Sequence, residues 1–180
     1  MNLASLTLWV LGLMTSMQPH APWEASYPAT AGAIARVVGD EVPLFEGSDG
    51  RARTAALMVS VAWFESAFQP GAVGDCGHAG PCKKGETGQS HGLFQVQGQG
   101  ELKDPMDAAR AALGMLRASM RVCRARPLEE RLGWYAAGGN DCDRGLRESR
   151  HRVLRAMWLF KRYPPPGESV IRDSKGENET

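Results

Sequence analysis

The sequence predicts a mainly α, single-domain protein with little or no strand and one long loop that carries cysteines. Three observations lead there. The chain has 180 residues, a length that suits one domain and allows a substantial core. Several segments repeat apolar residues at helical spacing, and none alternates over a strand-length run. Between Gln69 and Ser90 the pattern breaks into a stretch rich in glycine, with Pro70, Pro81, Cys76 and Cys82, which reads as a loop.

The elements follow in chain order. Leu3 to Met14 is apolar and of signal-peptide length, but no Lys or Arg precedes it and no Ala-x-Ala site follows. Residues 1–22 therefore read either as an export signal or uncleaved anchor, or as an ordinary buried N-terminal helix; the run is short for a membrane span. Gln18 to Thr30 holds Pro19, Pro22 and Pro28 and reads as a linker. A first helix is expected at Ala31 to Val38. The strongest runs from Arg51 to Ala67, with Leu57, Val61, Phe64 and Phe68 at helical spacing and Pro70 ending the pattern. Gly92 to Gln97 suits a strand or irregular chain. The next helix starts near Asp104, a capping residue, with Pro105 in its first position; Met106, Ala109, Leu113, Leu116 and Met120 form its apolar stripe. Further helices are expected at Leu128 to Ala137 and Leu146 to Arg162, the last stopped by Pro164, Pro165 and Pro166. The domain thus spans 23–163, and 164–180 reads as a disordered polar tail.

Charge and cysteines narrow the function. The net charge is +1 and 43% of residues are hydrophobic, which points away from a nucleic-acid binder and from a disordered chain. Arg144, Arg147, Arg150, Arg152 and Arg155 read as a solvated helix face rather than a basic recognition stripe. Four cysteines fit two disulfides in an oxidising compartment; sequence alone allows three pairings, of which Cys76–Cys82 with Cys123–Cys142 is favoured because each closes a segment rich in glycine or turn residues. The alternative is four thiols in a reducing one. Cys76, His78, Cys82 and His91 also suggest zinc, but their spacing matches no common zinc module; no metal or other cofactor is assigned.

Glu65 is the residue to explain. It ends the apolar helix, four residues after Val61 and eight after Leu57, so it shares their side. Desolvation there favours the protonated carboxyl, the form that donates a proton to a glycosidic oxygen. The bland alternative is a solvated Glu, or one paired with Arg51 or Arg53. Two further segments draw notice, Ser90-His91-Gly92-Leu93-Phe94-Gln95 and Trp134-Tyr135-Ala136-Ala137-Gly138-Gly139. Each alone reads as plain packing.

Together and in this order, the three segments resemble the lysozyme-like superfamily, in particular soluble lytic transglycosylases and goose-type lysozymes. The family's Glu-Ser is matched by Glu65-Ser66. Its Gly-Leu-(Met or Phe)-Gln is matched by Gly92 to Gln95, and its Tyr-Asn-Ala-Gly by Tyr135, Ala137 and Gly138. The resemblance covers about Ala31 to Tyr163 and departs at Ala136, where the family has Asn; Asn140 is the nearest substitute.

The resemblance implies a lysozyme-like fold and a lytic transglycosylase of peptidoglycan, an extracytoplasmic monomer acting on glycan strands in the periplasm or after secretion. Glu65 would protonate the bond between N-acetylmuramic acid and N-acetylglucosamine. Tyr135 would orient Glu65, Gln95 with Gly92 and Leu93 would hold the sugar, and Ser66 would support the geometry. A goose-type hydrolase needs a second carboxylate, for which Asp75 and Glu86 are the candidates. A peptidoglycan-binding module without activity, and a zinc-stabilised helical protein, are the alternatives from other classes. A host wall enzyme, a phage-borne lysin and a secretion-system component would share these motifs. The apolar N-terminal segment offers a membrane tether.

Overall fold

The computed structural model describes residues 1–74, 88–97, 102–139 and 141–167. Six α-helices appear among them: α1 (Leu3–Met17), α2 (Tyr27–Asp40), α3 (Gly50–Ser66), α4 (Pro105–Val122), α5 (Gly133–Ala136) and α6 (Leu146–Arg162). Three two-residue strands, β1 (Val73–Gly74), β2 (Ser90–His91) and β3 (Val96–Gln97), make an antiparallel sheet in the order β1-β2-β3. Val73 and Val96 both pair with His91. The protein is mainly α, as the periodicity predicts.

The core is built around α3. Every residue from Thr54 to Ala62 is buried, because small and apolar side chains surround the helix on all faces. α6 packs on it with Ser149, Arg152, Val153, Ala156 and Leu159 turned inward. α1 contributes Leu6, Trp9, Val10, Leu13 and Met14 to the same core, and the Trp9 indole donates to the Tyr163 carbonyl at 2.8 Å. No helix among the described residues is long and apolar enough to cross a membrane.

Some boundaries follow the sequence signals closely. Asp104 caps α4 by accepting from the Met106 amide at 2.7 Å, with Pro105 in the first turn. Ala109, Leu113 and Leu116 of the expected stripe are buried, and Met106 and Met120 pack against the core from its edge. The limits of α6 are those predicted.

Other boundaries are corrected. The linker reading of Gln18 to Thr30 runs too far, since α2 begins at Tyr27 and takes Pro28 into its first turn. A proline fits there because the first amides of a helix lack intrahelical partners. Leu128 to Ala137 is not one helix but a 3₁₀ turn, Leu128–Glu130, followed by the short α5. Gly133, the first residue of α5, packs against the disulfide segment, where a Cβ would stand 2.2 Å from the Cys142 carbonyl oxygen. Cys142 is bound to Cys123 at the end of α4, as predicted, with 5.8 Å between the Cα atoms. The Cys76–Cys82 pairing, most of the expected loop and residues 168–180 of the expected tail lie outside the described residues.

Candidate functional site

Glu65 stands in the last turn of α3, where the chain must leave the core. The exit is sharp. Ala67 caps the helix in the left-handed region with φ 50°, and Phe68 follows with φ 63°. Two successive non-glycine residues there are costly. The Phe68 ring, fully buried and edge-on to Tyr27 at 5.4 Å, offsets the strain, and the Trp23 indole holds the Ala67 carbonyl at 2.8 Å. The turn leaves the Glu65 side chain facing a cavity of about 540 Å³.

The second motif segment is stitched to the end of α3. The Ser66 hydroxyl is shared between the Ala62 carbonyl at 3.0 Å and the Leu93 carbonyl at 2.9 Å. Leu93 and Phe94 are buried in the core. Gly92 takes φ 74°, and its amide donates to the Ala72 carbonyl at 2.8 Å. Gln95 has the expected place but a different task. Its amide group donates to the Ala72 and Gly92 carbonyls, and its carbonyl accepts from the Ser90 hydroxyl at 3.0 Å. Gly74 permits this, since a Cβ there would lie 2.2 Å from the Gln95 Oε1. Gln95 therefore braces one wall of the cavity while lining it.

Tyr135 supplies the opposite wall. Its backbone amide donates to the Ser119 hydroxyl at 3.0 Å and its phenol donates to the Phe94 carbonyl at 2.7 Å. Burial pushes the phenol well above its usual range; the Glu65 charge adds to this and Arg152 opposes it. The resemblance implies that Tyr135 orients Glu65, but the Tyr135 hydroxyl is committed to Phe94.

Arg152 holds Glu65 instead, with Nε at 3.0 Å and Nη2 at 2.8 Å from Oε1. Their side chains are 10% and 16% exposed. The Arg152 guanidinium also lies 5.6 Å from the Phe64 ring centroid, and its backbone carbonyl accepts from the buried Ser60 hydroxyl at 2.7 Å. Reading the arginines of 144–155 as one solvated face missed this residue. The available signal was its position: Arg152 falls on the inward stripe of α6, in step with Ser149, Ala156 and Leu159. Neither expected bland partner is the one in place, since Arg53 pairs with Asp49 at 3.8 Å and the contact to Glu65 comes from α6. The largely buried setting expected for Glu65 is present, and it also contains a guanidinium bound to Oε1.

Among the described residues lining the cavity, Glu65 is the only carboxylate. Ala136 lines it too, so a methyl group stands where the resembling family carries an amide. Asp75, Glu86 and Asn140, and three of the four zinc candidates, Cys76, His78 and Cys82, lie outside the described residues. Comparison with family models, curated proteins and solved structures finds no match for the chain.

Proposed function

We propose that the protein is a peptidoglycan lytic transglycosylase that cleaves the β-1,4 bond between N-acetylmuramic acid and N-acetylglucosamine, with Glu65 as its single catalytic group. The observation that carries the reading is Glu65, the one carboxylate among the described lining residues, held at two points by Arg152 and facing a cavity walled by Gln95 and Tyr135.

The chemistry needs one residue used twice. Protonated Glu65 donates to the glycosidic oxygen as the bond to the muramic C1 breaks, and becomes a carboxylate. The muramic 6-hydroxyl then attacks C1, and its proton passes to Glu65. The acid is restored, no water is consumed, and the product ends in 1,6-anhydromuramic acid. Hydrolysis would require a second carboxylate to activate water. Arg152, bound to Oε1 at two points, holds the carboxylate in place while it collects the 6-hydroxyl proton. The substrate places the protein outside the cytoplasm, and the Cys123–Cys142 disulfide fits an oxidising compartment.

Two features favour a second reading, a module that binds glycan without cutting it: the ion pair restrains the acid, and Ala136 removes an amide from the cavity wall. Digestion of purified sacculi separates the two. The transglycosylase releases soluble muropeptides with anhydro ends, and Glu65→Gln lowers the rate by at least about 10²-fold, the usual worth of general acid catalysis. Binding without release supports the module, and reducing muramic ends support a goose-type hydrolase.

A further inference from the structure

The outward face of α6 takes no part in the site. Four of the ten large hydrophobic residues that stand exposed among the described residues fall between 154 and 163: Leu154, Met157, Trp158 and Tyr163. The first three are 54%, 57% and 48% exposed. Their spacing puts them together on the side of α6 opposite Val153, Ala156 and Leu159. Isolated apolar residues on a surface are ordinary, whereas a cluster on one helix face calls for a partner.

Charge identifies the partner. α6 carries six Lys or Arg residues against one Glu, of which Arg152 turns inward to Glu65 and five remain for the outer surface, in a chain whose net charge is +1. Arg147 and Arg150, paired with Glu148 and Glu130, precede the apolar cluster and Lys161 and Arg162 follow it. Lys161 and Arg162 make no ion pair among the described residues. Arg155 lies between the Trp63 and Trp158 rings, at 5.6 and 5.3 Å from their centroids, so even the central cation rests on aromatic surface.

We propose that this face docks the protein on an anionic lipid bilayer. Leu154, Met157 and Trp158 enter the boundary between headgroups and acyl chains, and the flanking cations meet lipid phosphates. A soluble polyanion would leave the three apolar side chains in water. A second copy joined face to face about a two-fold axis would set two cationic flanks against each other. The helix lies on the bilayer rather than across it. α1, the apolar segment that reads from sequence as a tether, turns Leu6, Trp9, Val10, Leu13 and Met14 into the core and leaves Leu3 and Leu8 exposed.

The test uses the full chain and vesicles of phosphatidylglycerol mixed with an equal part of phosphatidylcholine, read by co-sedimentation. The protein should partition onto these vesicles and not onto pure phosphatidylcholine. Replacing Leu154, Met157 and Trp158 together by Ser should weaken partitioning at least about tenfold, as should Lys161→Glu with Arg162→Glu. Thermal melts show whether each variant is folded, which matters for the charge pair too, since Arg162 lies 5.5 Å from the Tyr163 ring centroid. Failure of the wild type to bind the anionic vesicles overturns the proposal, and so does unchanged binding by both folded variants. A wild-type dimer in sedimentation equilibrium that the serine variant loses would assign the face to a second copy. Equal loss of vesicle binding to added polyphosphate in wild type and serine variant would assign it to a polyanion.

Discussion

Breaking the Glu65–Arg152 pair tests the centre of the site. Arg152→Met keeps an unbranched, flexible stem and removes both N–H donors to Oε1. Hydrogen bonds to a charged group are worth about 1.5–3 kcal/mol each, and stripping one partner from a buried pair costs about 3–5 kcal/mol. Both side chains here keep some contact with solvent, 10% and 16%, which argues for the low end, about 3 kcal/mol. For a chain of this size that lowers Tm by roughly 6–12 °C. Glu65→Gln and the double variant complete a thermodynamic cycle, measured by urea denaturation near neutral pH. The coupling energy should reach about 2 kcal/mol, because the pair is direct and held at two points. Arg152→Lys should recover only part of it, since one ammonium cannot replace the two-point contact of a guanidinium. A coupling below about 0.5 kcal/mol, the scatter expected of independent sites, would refute the pair as the anchor of Glu65.

The other expectations concern stability. Replacing Cys123 and Cys142 by Ser opens a link across a sequence separation of 19; chain entropy gives a loss of about 3 kcal/mol, readable as a Tm drop on the order of 10 °C in calorimetry. Thr30→Val removes a buried hydroxyl that has no hydrogen-bond partner, so the urea midpoint should rise, by up to about 1 kcal/mol in stability. The Tyr135 and Tyr27 phenols are both raised by burial. The folded state therefore keeps protons that the unfolded chain releases above about pH 10, and stability is full below that pH and falls as pH rises through it. Tyr135→Phe should flatten this fall between about pH 9 and pH 11 in urea titrations.

Elements whose signals are local were legible in the sequence. Asp104 and Pro105 mark a helix start by their own chemistry, and the triple proline after Arg162 marks an end. The short helix α5 was not legible, because the close approach of the Cys142 carbonyl to Gly133 is a contact between segments that no local pattern marks. Strands of two residues offer no alternation to detect. At the site, Glu65, Ser66, Gln95 and Tyr135 could be picked out by type and order, and they do meet. Their bonding partners could not, since the Ser66 bond to Leu93 and the Tyr135 bond to Phe94 join segments 27 and 41 residues apart. Arg152 was hidden among surface arginines that share its composition but not its side of the helix.

The separation between Glu65 and Arg152, 87 residues along the chain, bears on when the site comes into being. During synthesis α3 emerges long before α6, and at about 5–20 residues per second the wait is several seconds or more. Throughout that interval the inner face of α3 has no α6 to cover it, and Glu65 has neither its guanidinium nor the Tyr135 wall. A partly made chain can thus hold the motif residues without holding the site. Competence is conferred late and all together, when α6 closes over a carboxylate laid down 87 residues earlier.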